Sequence, residues 1–194
     1  HAAGSENSMG GLSQAFGDNV PILVLPGGYP LEQRHVRPNF SARDNWSGVT
    51  KSVQTIDTPS QIKDVMRRAF QALRNGNGGP VVVEMTLDIC AMEVPADALD
   101  YKSPIASKSV PSKTDIQDAV KMLLAANRPM IWAGSGVLMS QASPELTEFA
   151  ALTDIPVFTT MEGKSGYDER LPLALGAGSG ATTGPAYEWI NESD

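Results

Sequence analysis

An α/β fold is what this sequence predicts, with parallel sheets covered by helices: two partial doubly wound domains joined by a linker. Three observations carry that expectation. Four short apolar runs start at Pro21, Pro80, Pro129 and Pro156. They are continuous rather than alternating, which suits strands buried on both faces, and proline is tolerated at a strand's first residue. Helix-periodic segments alternate with these runs. Near the middle, "CAMEVPADALDYKSPIASKSVPSKT" breaks the rhythm with three prolines, several serines and no period. It reads as a surface linker over 93–112, with one domain over 1–92 and a second over 113–194.

In chain order, the first helix follows Ser5 in "ENSMGGLSQAF", where Met9, Leu12 and Phe16 share one face and Gly17-Asp18-Asn19 stops it. Gly4 and Ser5 then lie at a helix N-terminus. The free N–H groups there either attract anions and polar ring atoms or are capped in the ordinary way. Gly10 and Gly11 inside that helix cost about 1 kcal/mol each relative to alanine, so either another backbone comes close or the helix is weak. "PILVLPGG" is the first strand. Thr58-Pro59-Ser60-Gln61 reads as a capping box with proline at the first helical position. Ile62, Val65, Met66, Ala69, Phe70 and Leu73 follow at helical spacing until "NGNGG" ends the helix.

The second strand, "PVVVEMTLDI", carries Glu84. A carboxylate inside an apolar strand is either paired or at the strand's exposed end, and its expected role is structural. Beyond the linker, Ser112-Lys113-Thr114-Asp115 opens a helix with Ile116, Val120, Leu123 and Leu124 on its face. "PMIWAGSG" is the third strand. Ser143-Pro144-Glu145 opens the next helix, with Leu146, Phe149, Ala150 and Leu152 or their neighbours turned inward, and "PVFTT" is the fourth strand. The glycine-rich "TTMEGKSGYDERLPLALGAGSGATTG" has two readings. It is a flexible surface loop, or it supplies loops that converge with Gly134–Gly136 on one ligand.

Bulk properties exclude several classes. The chain has 194 residues, 41% hydrophobic and 19% charged, which fits an ordinary globular protein. A net charge of -7 repels phosphate backbones and argues against nucleic acid as a partner. One cysteine, Cys90, rules out an internal disulfide and suggests a cytoplasmic setting. No apolar stretch reaches membrane-span length, and no signal peptide is visible. The chain starts at His1 rather than methionine and ends in the helix-like "YEWINESD", so it reads as a fragment. A sheet cut partway exposes edges and apolar faces, and poor solubility or self-association of the isolated piece is expected.

Protein-borne catalytic machinery is not visible. The two histidines, His1 and His35, belong to no cluster of metal ligands. Neither "GLSQA" nor "AGSGV" supplies a nucleophile elbow. Gly134-Ser135-Gly136 follows a strand as in a dinucleotide fold, but Val137, Leu138 and Met139 come next, the third glycine is missing, and the helix is expected only near Ser143. A usual nicotinamide site is disfavoured. A nucleotide-binding oxidoreductase and a non-catalytic binding module on the same fold are the alternative functions.

The order of the pieces resembles the thiamine-diphosphate-dependent enzymes of the acetolactate-synthase-like group over essentially the whole chain. "AAGSENSMGGLSQAFGDNVPILVLPGG" is similar to the stretch of the pyrimidine-binding domain that reads G-P-G-x-x-N, a helix, then a strand. "RRAFQALRNGNGGPVVVEMTLDI" is similar to that domain's closing helix and strand. "ANRPMIWAGSGV" and "ELTEFAALTDIPVFTTMEGKSGYDERLPLALG" resemble the opening of the central domain.

The resemblance implies a carboligase or decarboxylase acting on a 2-oxo acid or related carbonyl, with the carbon–carbon chemistry carried by thiamine diphosphate and Mg2+. The family's catalytic glutamate would fall before His1 and its Mg2+–diphosphate motif after Asp194. This chain therefore holds no catalytic or metal residue of its own and is expected to be inactive alone. By the same resemblance, Ala3, Gly4 and Asn7 line the aminopyrimidine pocket, with Ala3 standing where the family has proline. Phe40 corresponds to the phenylalanine of a family F-Q-E segment whose glutamine is absent here. Gly134, Ser135, Gly136, Thr160 and Gly163 match loops that surround FAD or ADP in some members, and the family's G-M-H-G is replaced by Ser179-Gly180-Ala181-Thr182. The implied partners are a small carbonyl substrate and further copies of the parent protein, as a dimer or tetramer.

Overall fold

The computed structural model describes residues 3–194, in two compact units that divide between Ser109 and Val110. Unit 1 contains helices α1 (Ala3–Glu6) and α2 (Met9–Gly17), strands β1 (Leu23–Val24) and β2 (Gly27–Gly28), helix α3 (Ala42–Trp46), strand β3 (Ser52–Ile56), helix α4 (Ile62–Arg74), strand β4 (Val81–Thr86) and the single turn α5 (Leu87–Cys90). All pairings are parallel, and β4 is central, with β3 along one edge and β1 and β2 along the other. The last two are one run interrupted at Leu25-Pro26. They keep a single register against β4, and the Met85 N–H still donates to the Pro26 carbonyl at 3.2 Å.

Alternate side chains of β4 enter two cores, which is why its run is continuously apolar. Val81 and Val83 pack with Ile56, Val65, Ala69 and Ile89 beneath α4. Val82 packs on the opposite face with Leu12, Ala42 and Trp46, beneath α2 and α3.

Three local expectations need correction in unit 1. The first helix is broken at Asn7-Ser8, where short polar side chains compete for the backbone. Its inward residues are Leu12 and Ala15, while Met9 and Phe16 are exposed. The capping box does not form as read. Thr58 and Ser60 pair their hydroxyls at 2.9 Å, Gln61 Oε1 accepts from the Asp57 N–H at 2.8 Å, and a 3-10 turn at Pro59–Gln61 precedes α4. Finally, β3 was not among the expected strands. The far end of α4 is closed by Lys51, whose ammonium donates to the carbonyls of Ala72, Asn75 and Asn77 at 2.5, 2.6 and 2.5 Å. The 93–112 segment is tied to the end of α4: Arg74 donates to the Pro104 carbonyl at 2.9 Å, and Asn75 Oδ1, at the C-cap, accepts from the Ser107 N–H at 2.7 Å.

Unit 2 runs α6 (Lys113–Ala125), β5 (Ile131–Ala133), α7 (Ser135–Met139), α8 (Ser143–Thr153), β6 (Val157–Thr160), β7 (Ala174–Gly178) and α9 (Gly184–Glu192). Its sheet is parallel in the order β5-β6-β7. One core joins Ala133, Ala150, Val157 and Tyr167, with Leu146, Val137, Leu171 and Leu173 against it. The expected helix start at Ser112 is closed by a reciprocal cap between Ser112 and Asp115.

The expected apolar face of α6 is not buried. Leu124 is 81% exposed, Ile116 and Val120 are also exposed, and only Leu123 is half-buried. The helix makes no extensive packing with any strand of the unit. Leu146 and Ala150 of α8 turn inward as expected, but Phe149 and Leu152 face out.

The glycine-rich stretch is not simply a loop. Residues 174–178 form β7, bulged where Val157 pairs Ala174 and Phe158 pairs Gly176. Gly176 has φ +92°, and the Leu175 carbonyl left over accepts from the Thr183 hydroxyl at 2.8 Å. Among the described residues no helix is long and apolar enough to cross a membrane.

Candidate functional site

In unit 1 the chain between β2 and α3 crosses the carboxyl ends of the parallel strands. The Leu31 N–H donates at 3.1 Å to Asp88, two residues past β4, and Arg34 pairs with Asp57, directly after β3. A cleft of about 840 Å³ opens there, lined among others by Glu6, Arg34, His35, Phe40, Ser41 and Asp44. One wall is the start of α3. Ser41 adopts extended backbone and its hydroxyl accepts from the Asp44 N–H at 3.3 Å. The Asn45 side chain donates to the Ser41 carbonyl at 2.8 Å. Below, the Phe40 ring meets the buried Trp46 edge-on, with centroids 5.5 Å apart.

Beneath this wall lies Glu84, which is 2% exposed. Its Oε1 accepts from the Ala42 N–H at 3.2 Å, while Oε2 is buried and has no hydrogen-bond partner among the described residues. Burial pushes the Glu84 carboxyl above its ordinary value. The Ala42 N–H and the Arg34 charge pull it back, and Asp44 and Asp57 push it further up. Glu84 is thus paired through a backbone hydrogen bond rather than a salt bridge among the described residues, and it does not lie at an exposed strand end. Gly28 makes room for it, since a Cβ there would lie 3.1 Å from Glu84 Cγ and 3.2 Å from Oε1.

Of the residues read from the sequence, Phe40 lines this cleft, and Ala3, Gly4 and Asn7 are not among its lining residues. Ala3 and Gly4 belong to α1, Gly4 is exposed, and Asn7 is exposed in the turn that follows. Glu6, the last residue of α1, lines the cleft. Among the described residues no atom would obstruct a side chain at Gly10 or Gly11, so close approach of those residues does not select them. Arg34, Ser41 and Asp44 were missed. The spacing of Ser41 and Asp44 carries an N-cap signal that could have drawn attention to the α3 start.

In unit 2, Gly134 and Gly163 are brought together, but by packing. A Cβ on Gly163 would lie 2.6 Å from the Ala133 carbonyl oxygen and 2.8 Å from the Gly134 carbonyl carbon. The Thr160 hydroxyl accepts from the Gly163 N–H at 3.0 Å. A helix does start at Ser135, straight after the strand, which corrects the expectation that none begins before Ser143. One cleft of about 580 Å³ is lined by Trp132, Thr183, Gly184, Tyr187 and neighbours. Another, of about 690 Å³, runs between Ser143 and Glu169. None of Gly134, Ser135, Gly136, Thr160 and Gly163 lines either of them. Among the described residues no three His, Cys, Asp or Glu side chains converge where a metal could bind.

Comparison with known proteins fits this picture. Residues 116–194 match the family described as thiamine pyrophosphate enzyme, central domain. A probable acetolactate synthase large subunit from Methanococcus aeolicus is 33% identical over 98% of this chain and 33% of its own length. Glyoxylate carboligase from Escherichia coli is 34% identical over 78% of this chain and 26% of its own length. A 3D-(3,5/4)-trihydroxycyclohexane-1,2-dione hydrolase from Bacillus cereus is 30% identical over 92% of this chain and 30% of its own length. The chain thus spans about a third or less of these relatives. Parallel α/β architecture in both units, the central-domain match and relatives aligned along nearly the whole chain agree: this chain belongs to the thiamine-pyrophosphate-dependent, acetolactate-synthase-like enzyme family.

Proposed function

We propose that this chain supplies the pyrimidine-side wall and the first part of the central domain of a thiamine-diphosphate-dependent carboligase or decarboxylase. Its substrate is a 2-oxo acid or related small carbonyl. In this reading residues 1–92 end the pyrimidine-binding domain, 93–112 link, and 113–194 begin the central domain. The observation that carries it is the cleft at the carboxyl ends of the unit 1 strands, where Glu6 at the end of α1 and the Phe40–Asn45 wall line one space. Ligands of open α/β sheets bind at that edge. The cleft suits an aromatic heterocycle: Phe40 offers an apolar surface, and Ser41, Asp44, Asn45 and Glu6 offer hydrogen-bonding groups. Ala3, Gly4 and Asn7 are assigned to the same wall on the strength of the resemblance.

When bound, thiamine diphosphate supplies the carbon nucleophile for chemistry at the carbonyl. The part assigned to this chain is to seat the ring and fix its orientation. Mg2+ and the diphosphate are assigned to polypeptide outside this chain, and so is the catalytic glutamate. The whole protein is proposed to be a cytoplasmic homodimer or tetramer, as the resemblance implies. FAD or ADP in unit 2 stays outside the proposal, because the closeness of Gly163 to Gly134 is explained by their own packing.

The test is calorimetry on the full-length gene product that carries this chain. Thiamine diphosphate with Mg2+ should bind, and carbon dioxide release from pyruvate or glyoxylate should depend on both. Absence of cofactor binding overturns the reading. Reduced nicotinamide binding in its place supports the oxidoreductase alternative.

A further inference from the structure

Three valines precede Glu84 in β4, and all three are fully buried. A carboxyl in the next position is expensive, because one of its oxygens has no partner among the described residues. An apolar residue would fill the same space at less cost, so packing alone does not account for it. What Glu84 does, and an apolar residue cannot, is accept the Ala42 N–H at 3.2 Å. That N–H belongs to the first residue of α3, and Ser41 already takes the N–H of Asp44 at 3.3 Å. Two acceptors, one from the neighbouring residue and one from the sheet 42 residues away, therefore fix the turn from Phe40 to Asn45. That turn is a wall of the cleft.

The geometry points to Glu84 as a positioning residue, which reaches from the central strand through the Ala42 N–H to hold the Phe40–Asn45 wall in the shape the cleft requires. The assignment of what the cleft holds rests on the function proposed above. The anchoring itself does not. Gly28 completes the device, since its missing side chain leaves the carboxyl room to reach Ala42.

Amide hydrogen exchange on the full-length protein tests the anchoring directly, and steady-state kinetics test its purpose. Glu84→Leu removes the acceptor while keeping the site filled. Exchange at Ala42 and across 40–45 should rise on the order of tenfold, the equivalent of one lost buried hydrogen bond. Glu84→Gln keeps an acceptor oxygen and should restore wild-type protection. Gly28→Ala, which crowds the carboxyl without removing it, should loosen the same residues to a smaller degree. In kinetics, Glu84→Leu should raise the KM for thiamine diphosphate and leave kcat close to wild type, and Glu84→Gln should rescue that KM. Wild-type protection of 40–45 in both Glu84→Leu and Gly28→Ala overturns the proposal, as does a Glu84→Gln variant that exchanges as fast as Glu84→Leu. If the wild-type protein binds no thiamine diphosphate, the functional reading fails while exchange still decides the anchoring.

Discussion

The two units build parallel sheets from similar sequence patterns and end with different interiors. Unit 1 buries β4 between two apolar clusters and tolerates a carboxyl inside one of them. Unit 2 has one cluster, and its first helix buries no residue. Their loops differ as well. The unit 1 loops carry charged and polar side chains into a cleft, whereas in unit 2 glycines close loops against their own backbone, Gly163 on Gly134 and Gly178 on the Ala181 carbonyl. A glycine-rich segment after a strand is therefore as much a packing device as a ligand cradle, and the space around each glycine tells the two apart.

The contrast can be broken most forcefully at the unit 1 core. Trp46→Ala should remove about 3–5 kcal/mol from unit 1 by leaving a cavity beneath α3. The corresponding change on the bare helix, Leu124→Ala, should stay within about 0.5 kcal/mol. Urea unfolding followed by amide exchange in each unit separates the two. Next comes Gly163→Ala, whose new methyl meets backbone atoms that cannot swing aside. It should destabilise unit 2 by about 1–3 kcal/mol. Gly136→Ala, with open space around it, should be neutral or stabilising by up to about 1 kcal/mol, as expected inside a helix.

A smaller effect is expected from pH. The Glu84 carboxyl is raised from 4.5 in the folded protein, chiefly by burial. The folded state therefore holds its proton more tightly than the unfolded chain does. The associated stability is complete below 4.5 and is lost as pH rises through the folded value. The urea midpoint of unit 1 should fall over that window, and Glu84→Gln should flatten the trend.

The smallest effect lies on the unit 2 surface. The Arg170 guanidinium and backbone N–H hold the Asp168 carboxyl down to about 2. Its contribution is present above 3.8 and disappears only as pH falls through about 2. Carbon NMR should record that midpoint, and Arg170→Ala should return it toward an ordinary aspartate without a measurable change in the urea midpoint.

What could be read from the sequence followed the physics that sequence expresses locally. Pro80 and the three valines after it announce β4, and the spacing from Ile62 to Leu73 announces α4. By contrast, β7 is written mostly in alanine and glycine, which are poor strand formers, and the carbonyl at its bulge is taken by a threonine hydroxyl several residues later. Amphipathicity showed that α6 has an apolar face and could not say what covers it. Phe40 and the α1–α2 turn were singled out by resemblance. Glu84 was noticed, but its partner is an amide 42 residues distant, a distance that no local pattern encodes. The Lys51 cap on α4 was hidden for the same reason.

The central claim is that the unit 1 cleft seats the ring of thiamine diphosphate. Hydrogen exchange on the full-length protein, with and without thiamine diphosphate and Mg2+, tests it most directly. The account predicts that binding slows exchange in residues 4–8 and 34–45 of unit 1. Binding that leaves both segments unchanged would contradict it.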